Sequence, residues 1–127
     1  MISNIRLGNV MIDCGDEDQL CSFYEALLGW KRGVLFGRPS LTSENGTVFL
    51  FMQEEDYIPP VWPEEETRQQ KQMHFDFQVP DVRAAVIYCE SIGARKSPVQ
   101  FFEPDRECVM FDPAGHPFCL CASSNEG

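Results

Sequence analysis

Positive charge is scarce in this chain of 127 residues: ten Lys and Arg stand against twenty Asp and Glu, a formal net charge of −10. Phosphate backbones and anionic membrane surfaces are repelled by such a balance, so neither nucleic acid nor membrane is expected as a partner. Long apolar runs are missing too, since stretches such as Val48–Met52 fall far short of the roughly 20 residues of a membrane helix. The N-terminal stretch carries polar Ser3, Asn4 and Arg6 and no signal-peptide core, which leads to an expected cytoplasmic location. The six cysteines, Cys14, Cys21, Cys89, Cys108, Cys119 and Cys121, include no C-x-x-C pair, and that absence argues against a structural zinc ribbon or a thioredoxin-like centre. Most lie in apolar segments, where a reduced thiol packs as a small hydrophobe, so free thiols are expected. What the chain does have is 43% hydrophobic residues with ten Phe, enough for the core of one ordinary domain.

The first periodic segment is Asn9 to Cys14, with Val10, Ile12 and Cys14 on one face and Asn9, Met11 and Asp13 on the other, as in a half-buried strand. Gly15, Asp16, Glu17 and Asp18 form a turn and helix-start cluster. Leu20, Phe23, Tyr24, Leu27 and Leu28 then recur at helical spacing, and Gly29 ends the helix. From Trp30 to Met52 the glycines and Pro39 divide the chain into short pieces that predict two or three antiparallel strands, the last at Thr47–Met52.

A second strand-helix pair follows. His74, Asp76 and Gln78 alternate with Phe75, Phe77 and Val79, and Pro80 and Asp81 open a helix carrying Val82, Ala85, Val86, Cys89 and Ile92 before Gly93. Short strands are predicted around Val99–Phe102 and Glu107–Phe111, then a turn at Asp112–Gly115 and a last strand, Pro117–Cys121. Asn9 with His74 and Asp16 with Asp81 share one sequence offset, the signature of an internal duplication. Residues 54–72 lack any period and are rich in Glu and Pro, which predicts a connection that Tyr57, Val61 and Trp62 anchor.

Three stretches carry a family resemblance: Phe23-Tyr24-Glu25-x-x-Leu28-Gly29, His74-Phe75-Asp76-Phe77-x-Val79-x-Asp81, and Asp112-Pro113-x-Gly115-x-Pro117-Phe118-Cys119-Leu120. Together they resemble the vicinal oxygen chelate superfamily, in particular its glyoxalase-like and bleomycin-resistance-like domains. The resemblance implies an α+β fold of two βαβββ modules, with curled mixed sheets around a cleft, usually as a homodimer. Its expected layout is a single domain over 1–127: a first module at 1–53, an acidic, Pro-rich crossover at 54–72 and a second module at 73–123. Asn9, Met11, Asp13, His74, Asp76 and Gln78 would face the cleft.

The resemblance also implies a metal set of two His and two Glu, taken from the first and last strands of each module. Carried over position by position, the first His falls on Asn9 and the first acid near Phe51 or Gln53, while the second His is His74 and the second acid falls on Cys119. No cofactor is therefore expected, and a divalent metal, if present, would use His74 and Cys119. The expected function is binding of a small organic molecule by Asn9, Asp13, His74, Asp76, Cys119 and Trp62. The alternatives are a lyase- or isomerase-like enzyme, using a divergent metal or His74 and Asp76 as an acid-base pair, and a non-catalytic interaction module that makes contact through 54–72. Trp30, Tyr57, Phe101 and Phe102 are further candidates for a ring wall around a flat ligand.

Overall fold

The computed structural model describes residues 1–123 and divides into two compact units, Met1–Tyr57 and a second that begins at Ile58. The first holds strand β1 (Val10–Cys14), helix α1 (Glu17–Leu28) and strands β2 (Lys31–Leu35), β3 (Arg38–Thr42) and β4 (Val48–Gln53). The second holds β5 (Phe75–Val79), α2 (Val82–Ser91), β6 (Arg95–Lys96), β7 (Glu107–Phe111) and β8 (Pro117–Ala122). Each unit has one four-stranded sheet, ordered β1-β4-β3-β2 and β5-β8-β7-β6, so the second repeats the first element for element. Both sheets are mixed: β1 runs parallel to β4 and β5 to β8, and the remaining neighbours are antiparallel.

The repeated Asp marks the same device in both units. Asp16 Oδ1 accepts the Gln19 N–H at 3.0 Å and Asp81 Oδ1 the Ala84 N–H at 3.1 Å, each satisfying an amide that the first helical turn leaves without a partner. Gly29 closes α1 in the left-handed region at φ 68°, which costs a residue without Cβ little, and its N–H reaches Glu25 O at 2.9 Å. Helix α1 buries Leu20, Cys21, Phe23 and Tyr24, and the Tyr24 ring stacks over Phe51 of β4 at 6.1 Å. In the second unit Phe77 meets Phe118 edge-on at 5.8 Å. The apolar stripes read from the sequence thus form the layer between each helix and its sheet.

One strand differs from expectation. No strand forms at Val99–Phe102; the edge of the second sheet is the two-residue β6, at Arg95–Lys96. The reason is local, because the Gln100 side chain takes over the pairing that a strand backbone would make. Its Nε2 donates to Val109 O at 2.9 Å and to Ser97 O at 2.8 Å, and its Oε1 accepts the Val109 N–H at 2.8 Å. With the β7 edge satisfied by an amide side chain, the backbone beyond Ser97 is released from the ladder.

The segment after β4 has no helix or strand of its own, and its one ladder contact is the isolated bridge Val61–Gln70. Tyr57, the last residue of the first unit, is half-buried, as are Val61 and Trp62 in the second. Among the described residues, no helix is long and apolar enough to cross a membrane.

Candidate functional site

Strand register builds the site. In the second sheet Asp76 lies beside Cys119 and Gln78 beside Cys121, while β7 places Val109 beside Cys119 and Glu107 beside Cys121. Registered neighbours share a face, so Asp76, Gln78, Cys119, Cys121 and Glu107 line one side of the sheet. Phe75, Phe77, Phe118, Leu120 and Cys108 occupy the other, the side covered by α2. His74, one residue ahead of β5, continues the polar face: its Nε2 is 3.4 Å from Asp76 Oδ1.

His74, Asp76 and Cys119 are close enough that one ligand atom from each lies within 4.8 Å of the others. The Asp76 side chain is 61% exposed and that of His74 32%, whereas Cys119 is buried. Trp62 completes the group, its ring 5.3 Å from the His74 ring and 5.7 Å from Phe101. Lys71 holds its ammonium 4.2 Å above the same indole and pairs with Glu64.

The thiols here keep their protons well above neutral pH. Burial first, then the carboxylates of Glu107 and Asp76, push the Cys119 thiol up to about 12. Burial again, with the bond that Cys121 Sγ donates to Glu107 Oε1 at 3.2 Å, takes Cys121 to about 12 as well. Burial takes Cys89, on the buried side of α2, to about 11. All six cysteines are free, and five are buried. Because thiolate is the reactive form, labelling of the native protein by an aromatic disulfide at pH 7.5 is expected to be at least about 100-fold slower than labelling of the denatured chain. A fast-reacting thiol in the native protein would contradict this.

The same shifts give stability a sign. A thiol whose folded value is raised keeps its proton longer in the folded state, so the contribution is complete below the ordinary value of 9.0 and is lost as pH rises through 11 and 12. Urea midpoints are expected to fall above pH 9, and less steeply in Cys119→Ala.

Of the residues expected at the site, His74, Asp76, Cys119 and Trp62 come together in the second unit. Asn9 and Asp13 belong to the first, Asn9 half-buried just ahead of β1 and Asp13 on its exposed face beside Met52. Register also corrects the expected position of the first acid. Met11 pairs with Leu50 as Asp76 pairs with Cys119, so Leu50 is the counterpart of Cys119, in place of Phe51 or Gln53. Phe51 is turned toward α1, where it stacks on Tyr24. The first-unit counterparts of His74, Asp76 and Cys119 are therefore Asn9, Met11 and Leu50.

Other candidates serve elsewhere. Trp30 stacks on Phe49 at 5.1 Å. His116 holds a turn, its N–H donating to Asp112 Oδ1 at 3.0 Å while its carbonyl accepts the Asp112 N–H. Two site neighbours escaped the sequence reading. Glu107 was discoverable by folding β7 back on β8 through the Asp112–Gly115 turn, which puts it opposite Cys121. Lys71 was not, because it lies in the aperiodic segment with no spacing to relate it to Trp62.

A sheet of this order, repeated once with a capped helix after each first strand, defines the vicinal oxygen chelate fold. The profile of the glyoxalase-like domain family matches residues 9–121, and the chain belongs to that family. Among solved structures, the fosfomycin resistance protein FosX of Listeria monocytogenes is 16% identical, with a TM-score of 0.66 over 97% of this chain and 95% of that one. Lactoylglutathione lyase from Agrobacterium tumefaciens is also 16% identical, with a TM-score of 0.59 over 99% of each chain. Hypothetical protein SA1046 of S. aureus is 15% identical, with a TM-score of 0.65 over 94% of this chain and 99% of that one. One FosX structure is a complex with Mn(II) and 1S,2S-dihydroxypropylphosphonic acid. No curated protein matches the sequence.

The residues present do not fit a manganese site of this kind. Manganese favours carboxylate, carbonyl and water oxygens, and the His74–Asp76–Cys119 group supplies one carboxylate beside an imidazole and a protonated thiol, with Asn9, Met11 and Leu50 at the first-unit counterparts. A thiol with an imidazole is a donor set for zinc-like ions. Such an ion would require Cys119 to lose its proton and the donors to close from as much as 4.8 Å to the roughly 3.5 Å of a tetrahedral shell.

Proposed function

We propose that this glyoxalase-like protein binds a small organic molecule on the polar face of the second sheet, without the two-His, two-carboxylate metal set. The observation that carries the reading is the Trp62 ring set beside His74 and Phe101, next to an exposed Asp76 carboxylate. An aromatic wall beside a few convergent polar groups is the usual composition of a small-molecule site. Asp76 would fix a cationic or hydrogen-bond-donating end, the Trp62 and Phe101 rings a flat apolar body, and His74 would be oriented by Asp76. The homodimer that the family resemblance implies and the cytoplasmic setting expected from the sequence accompany this proposal.

Calorimetry against a panel of cationic and neutral aromatic compounds tests it. Asp76→Asn and Trp62→Ala are each expected to weaken the best ligand by about 10-fold or more, since a charged hydrogen bond contributes about 1.5–3 kcal/mol. Chelator is expected to change nothing.

A second reading rests on the proximity of the three donors. Here the protein would be a lyase- or isomerase-like enzyme, with His74 and Asp76 exchanging a proton with substrate, or with a zinc-like ion on His74, Asp76 and Cys119 that supplies Lewis acidity. Incubation with zinc, nickel, manganese and iron, exhaustive dialysis and metal analysis separates the two. About one equivalent retained, and lost in His74→Ala, favours the enzyme; loss of all metal favours the binder.

A further inference from the structure

Away from that face, on the α2 side of the second sheet, a cavity of about 230 Å³ opens between α2 and the β6–β7 edge. Its walls include Arg83 and Ile87 of α2, Lys96 of β6 and Phe102 of the following loop, with Cys108 of β7 also lining it. Ile87 and Phe102 are 69% and 60% exposed, apolar surface that no described residue covers. The loop wall is held in place, because Gln100 is bonded to both the Val109 N–H and its carbonyl.

Two cations, Arg83 and Lys96, line this cavity. Among the described residues neither forms an ion pair, although acids outnumber bases twenty to ten in the chain. The one acid in the lining, Glu107, accepts the Cys121 thiol on the opposite face of the sheet, which directs its carboxylate away. Two cations without an ion pair, beside exposed Ile87 and Phe102, are complementary to an organic anion with an apolar body.

We propose that this cavity is a second ligand site, separate from the His74 face, for a small aryl-carboxylate-type anion whose carboxylate meets Arg83 and Lys96 and whose ring lies against Ile87 and Phe102. It is independent of the function proposed above, and either can fail alone.

Amide NMR titration of the full chain with 2-naphthoate, and with 2-naphthalenemethanol as the uncharged isostere, is the test. Saturable shifts are expected at residues 83–87, 96 and 100–108, with the alcohol at least about 10-fold weaker. Arg83→Ala/Lys96→Ala is expected to weaken naphthoate by at least about 10-fold while keeping the native amide spectrum. Arg68→Ala, which removes a positive charge elsewhere, is expected to leave affinity unchanged. The proposal is overturned by an absence of saturable shifts up to about 5 mM naphthoate, by equal binding in the double variant, or by shifts centred on Trp62 and His74.

Discussion

Phe118→Ala is expected to remove about 3–5 kcal/mol of unfolding free energy, measured by urea denaturation. Phe118 is fully buried on β8, between Phe75 of β5 and Met110 of β7 in register, and its ring meets Phe77. Alanine there removes a large apolar side chain and leaves a cavity that three paired strands cannot close without breaking their ladders. Domains of this size have about 5–15 kcal/mol in total, so the variant would be marginal at 37 °C. Cys119, the next residue, faces the opposite side, so the same change is expected to disturb the His74–Asp76–Cys119 group. A loss below about 1 kcal/mol would mean that the layer between α2 and its sheet is not the core of the second unit.

Gly115→Ala is the second large effect, expected at about 2–5 kcal/mol. Gly115 sits at φ +88°, a conformation that residues with a Cβ adopt only with strain, and a Cβ built there lies 2.9 Å from Pro59 Cβ. A proline ring cannot rotate aside as a flexible chain end would, so the turn or the segment at Pro59 must move. The turn is tightly built: Asp112 is buried, and its Oδ1 accepts the Ala114 and His116 amides at 2.9 and 3.0 Å. The segment is thus the softer partner, and limited proteolysis within residues 58–72 is expected to speed up in the variant. Unchanged proteolysis together with unchanged stability would rule out contact between Pro59 and this turn in solution.

Much of the fold was legible because it is written in local chemistry. The alternation of Val10, Ile12 and Cys14 against Met11 and Asp13, and of Phe75 and Phe77 against His74 and Asp76, marks strands with one apolar face. Asp16 and Asp81 were readable as helix starts because their side chains bond to amides three residues on. The missing strand at Val99–Phe102 was not legible. Val99, Phe101 and Phe102 have strand-like character, but the Gln100 side chain, nine residues ahead of Val109, had already taken the hydrogen bonds. The candidate site was legible only in part: Asp76 and His74 share a face by period alone, and Cys119 joined them through the family resemblance.

The sequence by itself determined both helices, where each begins and most of the strands, because these depend on residue type at short spacing; the duplication shows as one offset between the two halves, and the expectation of an incomplete metal set came from the family resemblance. Tertiary structure alone decided that Leu50 is the counterpart of Cys119, that Glu107 bonds to Cys121, that Lys71 lies over Trp62, and that Arg83 and Lys96 share a cavity. Those relations depend on strand register and on where the long connection packs, and both are set by contacts between residues far apart in the chain.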